Sequence, residues 1–327
     1  MAREAGVSLE TASRVLNESY EVKEGTGAKV HEAMSRMGYV PNELARGLKA
    51  RKSVAIGMIM KNLSDPFAAS AIKAAQEVAR ANGYILILAS SGGYADLERS
   101  EIENLIGRQV DGLLISPIGS PRSNFNDIIP LGLPVVTLDQ PIRDGDYDSV
   151  MINNRLSAKG AVQHLLNHGY HRIVAVATRP YLHTSSERIA GYREAMKRAV
   201  LEPRICLVES EELLTAQWLS ENLFYRHSPD AMICMNWVCT MLTLRGMKQV
   251  RKRLGTDLAF LSFDDFELAG MLDPSLSAVR QPADALGAQA ARLLFDRIKG
   301  KDKNKRRSIV LPTELILRES CGCNHSS

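Results

Sequence analysis

From residue 53 onward, short apolar runs alternate with amphipathic stretches, and no other feature narrows the possible folds so far. VAIGMIM (54–60), YILILA (84–89), GLLIS (112–116) and PVVTL (134–138) read as buried strands, with helical periods over 67–82 and 96–107. The alternation resumes with helix 155–168, strand RIVAVA (172–177), helix 186–199, strand RICLV (204–208) and helix 213–226. Strand AMICM (231–235), helix 238–253, strand LAFLSF (258–263), helix 283–299 and the segment SIVLPTELIL (308–317) complete it. Repeated strand–helix units bury their apolar strands in parallel sheets covered by helices on both faces. These units are more than one sheet comfortably holds, so the class is α/β with two doubly wound parallel-sheet subdomains.

The first ~50 residues follow a different grammar, helices only. Ser8 reads as the N-cap of a short helix with apolar Leu9, Ala12, Val15 and Leu16 on one side. Residues 28–37 repeat the helical period with Val30, Met34 and Met37, and Gly38 supplies the stop. Gly25 and Gly27 weaken that helix by up to about 1 kcal/mol each if they lie inside it. Within AREAGVSLETASRVLN a first helix ends at Ala5, Gly6 makes the turn and Ser8 opens the second helix. In such a helix-turn-helix, Leu9 and Glu10 face outward where a major groove would lie, and Arg14 reaches a guanine edge or a phosphate. Any pair of antiparallel helices shares this outline, so geometry alone leaves DNA binding open.

Charge is informative only in its distribution. The formal net charge of +4 conceals RGLKARK (46–52), with four basic and no acidic residues, and RIKGKDKNKRR (297–307), with seven basic and one acidic, in an acidic remainder. For the second stretch a solvated turn between helix and strand is the default.

Ligands in open α/β sheets sit beyond the carboxyl ends of strands. Asp65, Asp139 and Asp264 stand there, after VAIGMIM, PVVTL and LAFLSF. Each alone is more often a turn or cap residue; three in equivalent places point to a polar site. Arg188, in the first turn of a helix, opposes the dipole there, which a ligand or carboxylate partner explains.

AREAGVS, ASRVLN, GYVPN, ARGLKARKS, LSDPF, VDGLL, RIAGYREAM, SFDDF, VRQP and PTELILRESCG occur in an order and spacing that resemble the LacI/GalR family of bacterial repressors over nearly the whole chain. The resemblance implies a periplasmic-binding-protein-like body preceded by a small all-α helix-turn-helix headpiece and hinge helix. It divides the chain into a headpiece at 1–40, a hinge helix at 41–52 and an effector-binding and dimerisation domain at 53–327. In that domain it implies an N-subdomain of about 53–150 and 280–308 and a C-subdomain of about 151–279 and 309–320. It makes Ser8, Leu9, Glu10, Thr11, Arg14 and Asn17 DNA-reading positions, with Leu48 of the hinge as a minor-groove wedge flanked by Arg46 and Lys49. It assigns Asp65, Phe67, Asp139, Arg188, Asn236, Asp264 and Gln281 to an effector site between the subdomains, where carboxylate, guanidinium and amide groups suit the vicinal hydroxyls of a sugar. Trp237 and Trp218 are further candidate walls, with core packing the blander role.

The chain departs from the family pattern in three places. Met1 stands where relatives commonly continue a longer first helix, so the headpiece is expected to be short at its start, with weakened operator binding. Trp237 follows Asn236 where the family often has Asp, and Ser262 stands in place of a frequent Gly. With His183-Thr184-Ser185-Ser186 at a helix start, these leave a sugar phosphate or sugar acid as alternatives to a neutral sugar.

No phosphate-cradling glycine loop, G-x-S-x-G elbow or H-E-x-x-H is present, so the reading is not an enzyme and includes neither cofactor nor metal. His164 and His168 are four apart but read as a helix end lacking a third ligand. Cys321-Gly-Cys323 reads as part of a mobile C-terminal tail. No signal sequence or membrane-length apolar run occurs, which makes the cytoplasm the default address. The expected protein is a ligand-responsive repressor of sugar or related carbon-source genes, binding a pseudo-palindromic operator as a homodimer or tetramer. The alternative is a small-molecule-binding protein of the same fold whose DNA binding is lost or weakened.

Overall fold

In the computed structural model, residues 2–16, 25–39, 53–119, 125–142, 147–208, 214–250, 252–301 and 306–323 are described. The chain divides into two compact units, Met1–Val54 and Ala55–Ser327.

The first unit is helical. Residues 2–6 form turns, Gly6 adopts a φ of 65°, and helix Leu9–Leu16 follows. Ser8 Oγ accepts from the Thr11 amide at 3.0 Å, the expected N-cap. The second helix, Thr26–Met37, ends at Gly38 in the left-handed region, with the Tyr39 amide returning to the Met34 carbonyl. Gly25 is its N-cap, at a φ of 86°, and so lies outside the helix it was expected to weaken. Ala5, Val15, Val30 and Ala33 form a small core. The hinge segment 41–52 and Asn17 lie outside the described residues.

The second unit holds two six-stranded sheets. The first contains β1 (Ala55–Met60), β2 (Ile85–Ser90), β3 (Leu113–Ile115), β4 (Val135–Leu138), β5 (Asp148–Ile152) and β11 (Ser308–Leu311) in the order β11-β5-β4-β3-β1-β2, all parallel. The second contains β6 (Ile173–Thr178), β7 (Arg204–Val208), β8 (Ala231–Cys234), β9 (Ala259–Phe263), β10 (Ser277–Arg280) and β12 (Glu314–Ile316) in the order β12-β10-β9-β8-β6-β7. Its edge strand β12 runs antiparallel to β10. The central strands β1 and β6 are buried along their whole length, as two-sided helical cover requires.

SIVLPTELIL is therefore two strands serving different sheets, so residues 309–311 stay with the first sheet. Strands β5 and β10 escape the apolar pattern because each is short and carries polar residues. In β5, Asp148 is buried and receives two bonds from Arg297, at 2.6 and 2.9 Å, and one from the Arg307 amide. Three members of the basic stretch 297–307 are thus structural: Arg297 clamps Asp148, while Lys301 and Arg307 reach Asp296 at 3.3 Å.

In each lobe two helices approach closely at a glycine. Helix Ala283–Ile298 crosses helix Pro66–Ala81 at Gly287, where a β-carbon would strike the Ala71 carbonyl. Helix His183–Arg198 crosses helix Asn154–Asn167 at Gly191, where it would strike the Arg155 carbonyl.

Candidate functional site

The strand ends of both sheets open onto one cavity of about 380 Å³. Asp65, Phe67, Asp139, Arg188, Asn236, Asp264 and Gln281 all line it. Local folding explains their poses. Asp65 follows β1 and caps helix Pro66–Ala81, its Oδ1 accepting from the Phe67 amide at 2.9 Å. Asn236 follows β8 and caps helix Trp237–Gln249, its Oδ1 accepting from the Cys239 amide and its Nδ2 donating to Thr178 Oγ1. Asp139 and Asp264 end β4 and β9 with φ values of 68° and 79°. Left-handed backbone at a non-glycine costs about 1–3 kcal/mol and is common at ligand sites. At position 264 the buried Ser262 hydroxyl stabilises the bend, lying 3.1 Å from the Asp264 carbonyl.

The charges are arranged in opposition. Lys61 pairs with Asp139 at 3.1 Å. Arg188 is only 4% exposed. It donates to Asn154 Oδ1 and to the Met235 carbonyl, each at 2.7 Å, stacks on the Phe263 ring and approaches Asp264 to 4.0 Å. The helix begins at His183, so Arg188 lies in its second turn and not in the first turn read from the sequence; it is held by a carbonyl, an amide, an aromatic face and a carboxylate. Asp264 also accepts from the Trp237 amide and from Gln281 Nε2. The buried Gln281 Oε1 has no protein partner among the described residues. The Asp65 carboxyl is pushed up to about 7, first by burial and then by the Asp264 and Asp139 carboxylates, against the Phe67 amide and Lys61.

Lys61, Ser116, Thr178 and Arg179 also line the cavity and were not among the sequence-derived site residues. All four stand at strand ends, so the rule that found the three aspartates marks them equally. Trp237 lines the cavity while Trp218 packs against the second lobe's core. Thr184 and Ser185 reach the cavity from the helix start, and the His183 amide is taken by Gln140 Oε1 at 3.0 Å.

In the helical unit, Ser8, Leu9, Glu10 and Arg14 are exposed and Thr11 is half-buried. Leu9 is 84% exposed while Ala12 and Val15 are buried, so Leu9 leaves the apolar side of its helix. Arg14 pairs with Glu10 at 2.6 Å on the same face. Asn17, Arg46, Leu48 and Lys49 lie outside the described residues.

At the far end of helix Asn154–Asn167, the i,i+4 histidines acquire neighbours that chain distance concealed. Cys321 and Cys323 lie beside His164 and His168, in a turn fixed to the second sheet where a mobile tail was expected. Among the described residues, no helix is long and apolar enough to cross a membrane.

A small helical unit followed by two α/β lobes that enclose a lined cavity has the architecture of a two-lobed ligand-binding protein with a helical N-terminal appendage. Residues 1–42 match the family model described as bacterial regulatory proteins, lacI family, and residues 162–321 match a periplasmic binding protein-like domain. The ribose operon repressor of Haemophilus influenzae is 31% identical over 98% of this chain and 97% of its own. Among solved structures, the transcriptional regulator CelR in complex with cellobiose superposes with a TM-score of 0.73 at 26% identity, covering 98% of both chains. The Lac repressor dimer bound to operator and the anti-inducer ONPF has the same fold, with a TM-score of 0.84 at 23% identity over 98% of both chains. The chain belongs to the LacI family: it is an effector-responsive, DNA-binding transcriptional regulator and not an enzyme.

Proposed function

We propose that this regulator is a homodimeric repressor of carbon-source genes whose cavity takes a neutral, polyhydroxylated effector, a sugar. The charge pairing of the cavity carries this reading. Of the three cations that line the cavity, Lys61 faces Asp139 and Arg188 faces Asp264, so these two call for no anionic ligand. What remains is hydrogen-bonding capacity: the second oxygen of Asp65, the Gln281 Oε1 acceptor and the hydroxyls of Thr178 and Ser116. Such groups match vicinal hydroxyls, and Phe67 and Trp237 supply apolar walls for a sugar ring. The H. influenzae relative is named for a ribose operon and the CelR structure holds cellobiose, which supports the sugar class without choosing a member.

On the DNA side, Leu9, Glu10 and Arg14 read the major groove, Ser8 and Thr11 position the helix start, and Leu48 with Arg46 and Lys49 serves the minor groove. A two-fold dimer then requires a pseudo-palindromic operator. The effector shifts the regulator between states by binding one of them better.

Thermal-shift and tryptophan-fluorescence screens of neutral sugars, sugar phosphates and sugar acids test the cavity. A neutral sugar is expected to raise the melting temperature, quench Trp237 and change retention of the upstream DNA at about 50 mM salt. Stabilisation by the phosphates or acids alone overturns the neutral-sugar reading, and absence of DNA binding at low salt overturns the repressor reading.

A further inference from the structure

One cluster outside the effector cavity brings together four side chains of metal-ligating type. His164 occupies the last turn of helix Asn154–Asn167 and His168 is its C-cap, with ring centroids 4.6 Å apart. Cys321 and Cys323 come from the turn after β12, more than 150 residues away. Cys321 Sγ lies 3.3 Å from His164 Nε2 and 3.2 Å from Cys323 Sγ. Cys323 Sγ lies 3.5 Å from His164 Nε2 and 3.2 Å from His168 Nε2. None of the four lines the effector cavity.

The turn is held in place before any ligand is considered. Ser320 Oγ donates to the Phe260 carbonyl at 2.7 Å and accepts from the Ser277 amide at 2.9 Å. Glu319 accepts from the Ser275 amide at 2.9 Å. Gly322, between the two cysteines, has a φ of 81°, and a β-carbon there would run into the Tyr170 hydroxyl. Only glycine permits this close, left-handed turn, which presents both thiols to the same helix end. Cys321 is fully buried, Cys323 and His164 are half-buried, and His168 is exposed.

We propose that His164, His168, Cys321 and Cys323 form a Cys2His2 site for a zinc-class divalent cation. A tetrahedral zinc ion, with bonds of roughly 2.3 Å to sulfur and 2.0–2.1 Å to nitrogen, needs sulfur-containing ligand–ligand edges of about 3.6–3.8 Å. The four sulfur-containing edges above, at 3.2–3.5 Å, open to that size by about half an ångström or less; His164, Cys321 and Cys323 already present ligand atoms within 4.8 Å of one another, and His168, which meets the set through Cys323, turns further in to become the fourth ligand. Two ligands of each kind complete the tetrahedron, so the site is closed and structural. Binding expels the two thiol protons to solvent and leaves the imidazoles neutral. The cation staples the C-terminal turn to helix Asn154–Asn167, joining the second sheet's edge to the helix that covers it.

The test uses the untagged full chain, purified under reducing conditions, stripped with a chelator and titrated with Co2+ and then Zn2+. One equivalent of Co2+ is expected to give thiolate charge-transfer absorption and tetrahedral d–d bands that Zn2+ abolishes, and Zn2+ is expected to raise the melting temperature. His168→Asn and Cys323→Ser are expected to weaken Co2+ binding at least about tenfold. Because neither side chain is fully buried, folding is checked independently by circular dichroism. Absence of tetrahedral bands overturns the proposal, as do bands that survive Cys323→Ser. A Cys321–Cys323 disulfide whose reduction restores no cobalt binding overturns it too.

Discussion

Replacing Asp65 by asparagine separates a charge from a cap. Asp65 Oδ1 accepts the Phe67 amide, and asparagine is about as good an N-cap, so the variant keeps that bond and loses only the ionisable proton. In the wild-type protein the carboxyl titrates near 7 instead of 3.8, through burial and the neighbouring Asp264 and Asp139 carboxylates. The folded chain therefore binds more protons than the unfolded chain between these two values. Its stability falls as pH rises through that window and is level above it. One pKa unit corresponds to about 1.4 kcal/mol, so the ceiling is about 4 kcal/mol, and water reaching the cavity screens this to about 2 kcal/mol. Asp65→Asn escapes the loss. Its melting temperature should exceed the wild-type value by an amount that grows from about pH 4 to pH 7 and then stays constant. With roughly 2–4 °C per kcal/mol for domains of 150–250 residues, the plateau is about 4–8 °C. Paired thermal scans across this range measure it; titrating groups remote from Asp65 cancel in the difference, whereas relief of Asp264 and Asp139 from its charge is part of the effect. A melting-temperature difference independent of pH refutes the reasoning, as does a variant less stable than wild type above pH 7.

The same carboxyl sets the pH dependence of the effector: a neutral sugar that donates to Asp65 should bind more weakly below about pH 7, whereas an anion should bind more tightly, and titration calorimetry at two pH values distinguishes them. Arg188→Met leaves Asn154 Oδ1, the Met235 carbonyl and Asp264 without their buried cation, so a loss of about 3–5 kcal/mol is expected, read by denaturant unfolding together with loss of the effector response. Gly287→Ala drives a methyl group into the Ala71 carbonyl and should cost about 1–3 kcal/mol, measured as a lowered melting temperature. Arg14→Ala breaks only an exposed pair with Glu10, so stability should change by less than about 1 kcal/mol. Its operator affinity should fall by about 1–3 kcal/mol with relaxed specificity if Arg14 reads a guanine, or uniformly with a salt slope lower by about 1 if it binds phosphate; mobility shifts on operator and mutated operator tell these apart.

The α/β architecture was legible because parallel strands covered on both faces must be apolar throughout, as VAIGMIM and RIVAVA are. Strands β5 and β10 were not, because Asp148 and Ser277 are buried polar residues whose partners, Arg297 and Arg318, come from remote parts of the chain. The seven cavity residues named from the sequence converge because five of them stand at strand ends or just after them, where the fold gathers side chains whatever their sequence separation. The histidine–cysteine cluster could not be seen in advance. Its two pairs are each unremarkable locally, and only the return of the chain through β12 to the second sheet brings them together.

For Asp65 and Asn236 the structural role and the proposed ligand role are the same property seen from two sides. Each spends its Oδ1 on the first turn of a helix, at 2.9 and 2.8 Å, and this fixes the side-chain rotamer before any effector arrives. Asp264 is fixed likewise by the Trp237 amide and Gln281, and Arg188 by Asn154 and the Met235 carbonyl. A side chain ordered on binding costs about 0.5–1.5 kcal/mol, so a site whose polar groups are already held binds a small, flexible ligand without that loss. A cap position is therefore no argument against a binding role in this cavity. It is the means by which short aspartate and asparagine side chains are aimed, and in the proposed site the atoms left over to meet an effector are the second Asp65 oxygen and Gln281 Oε1.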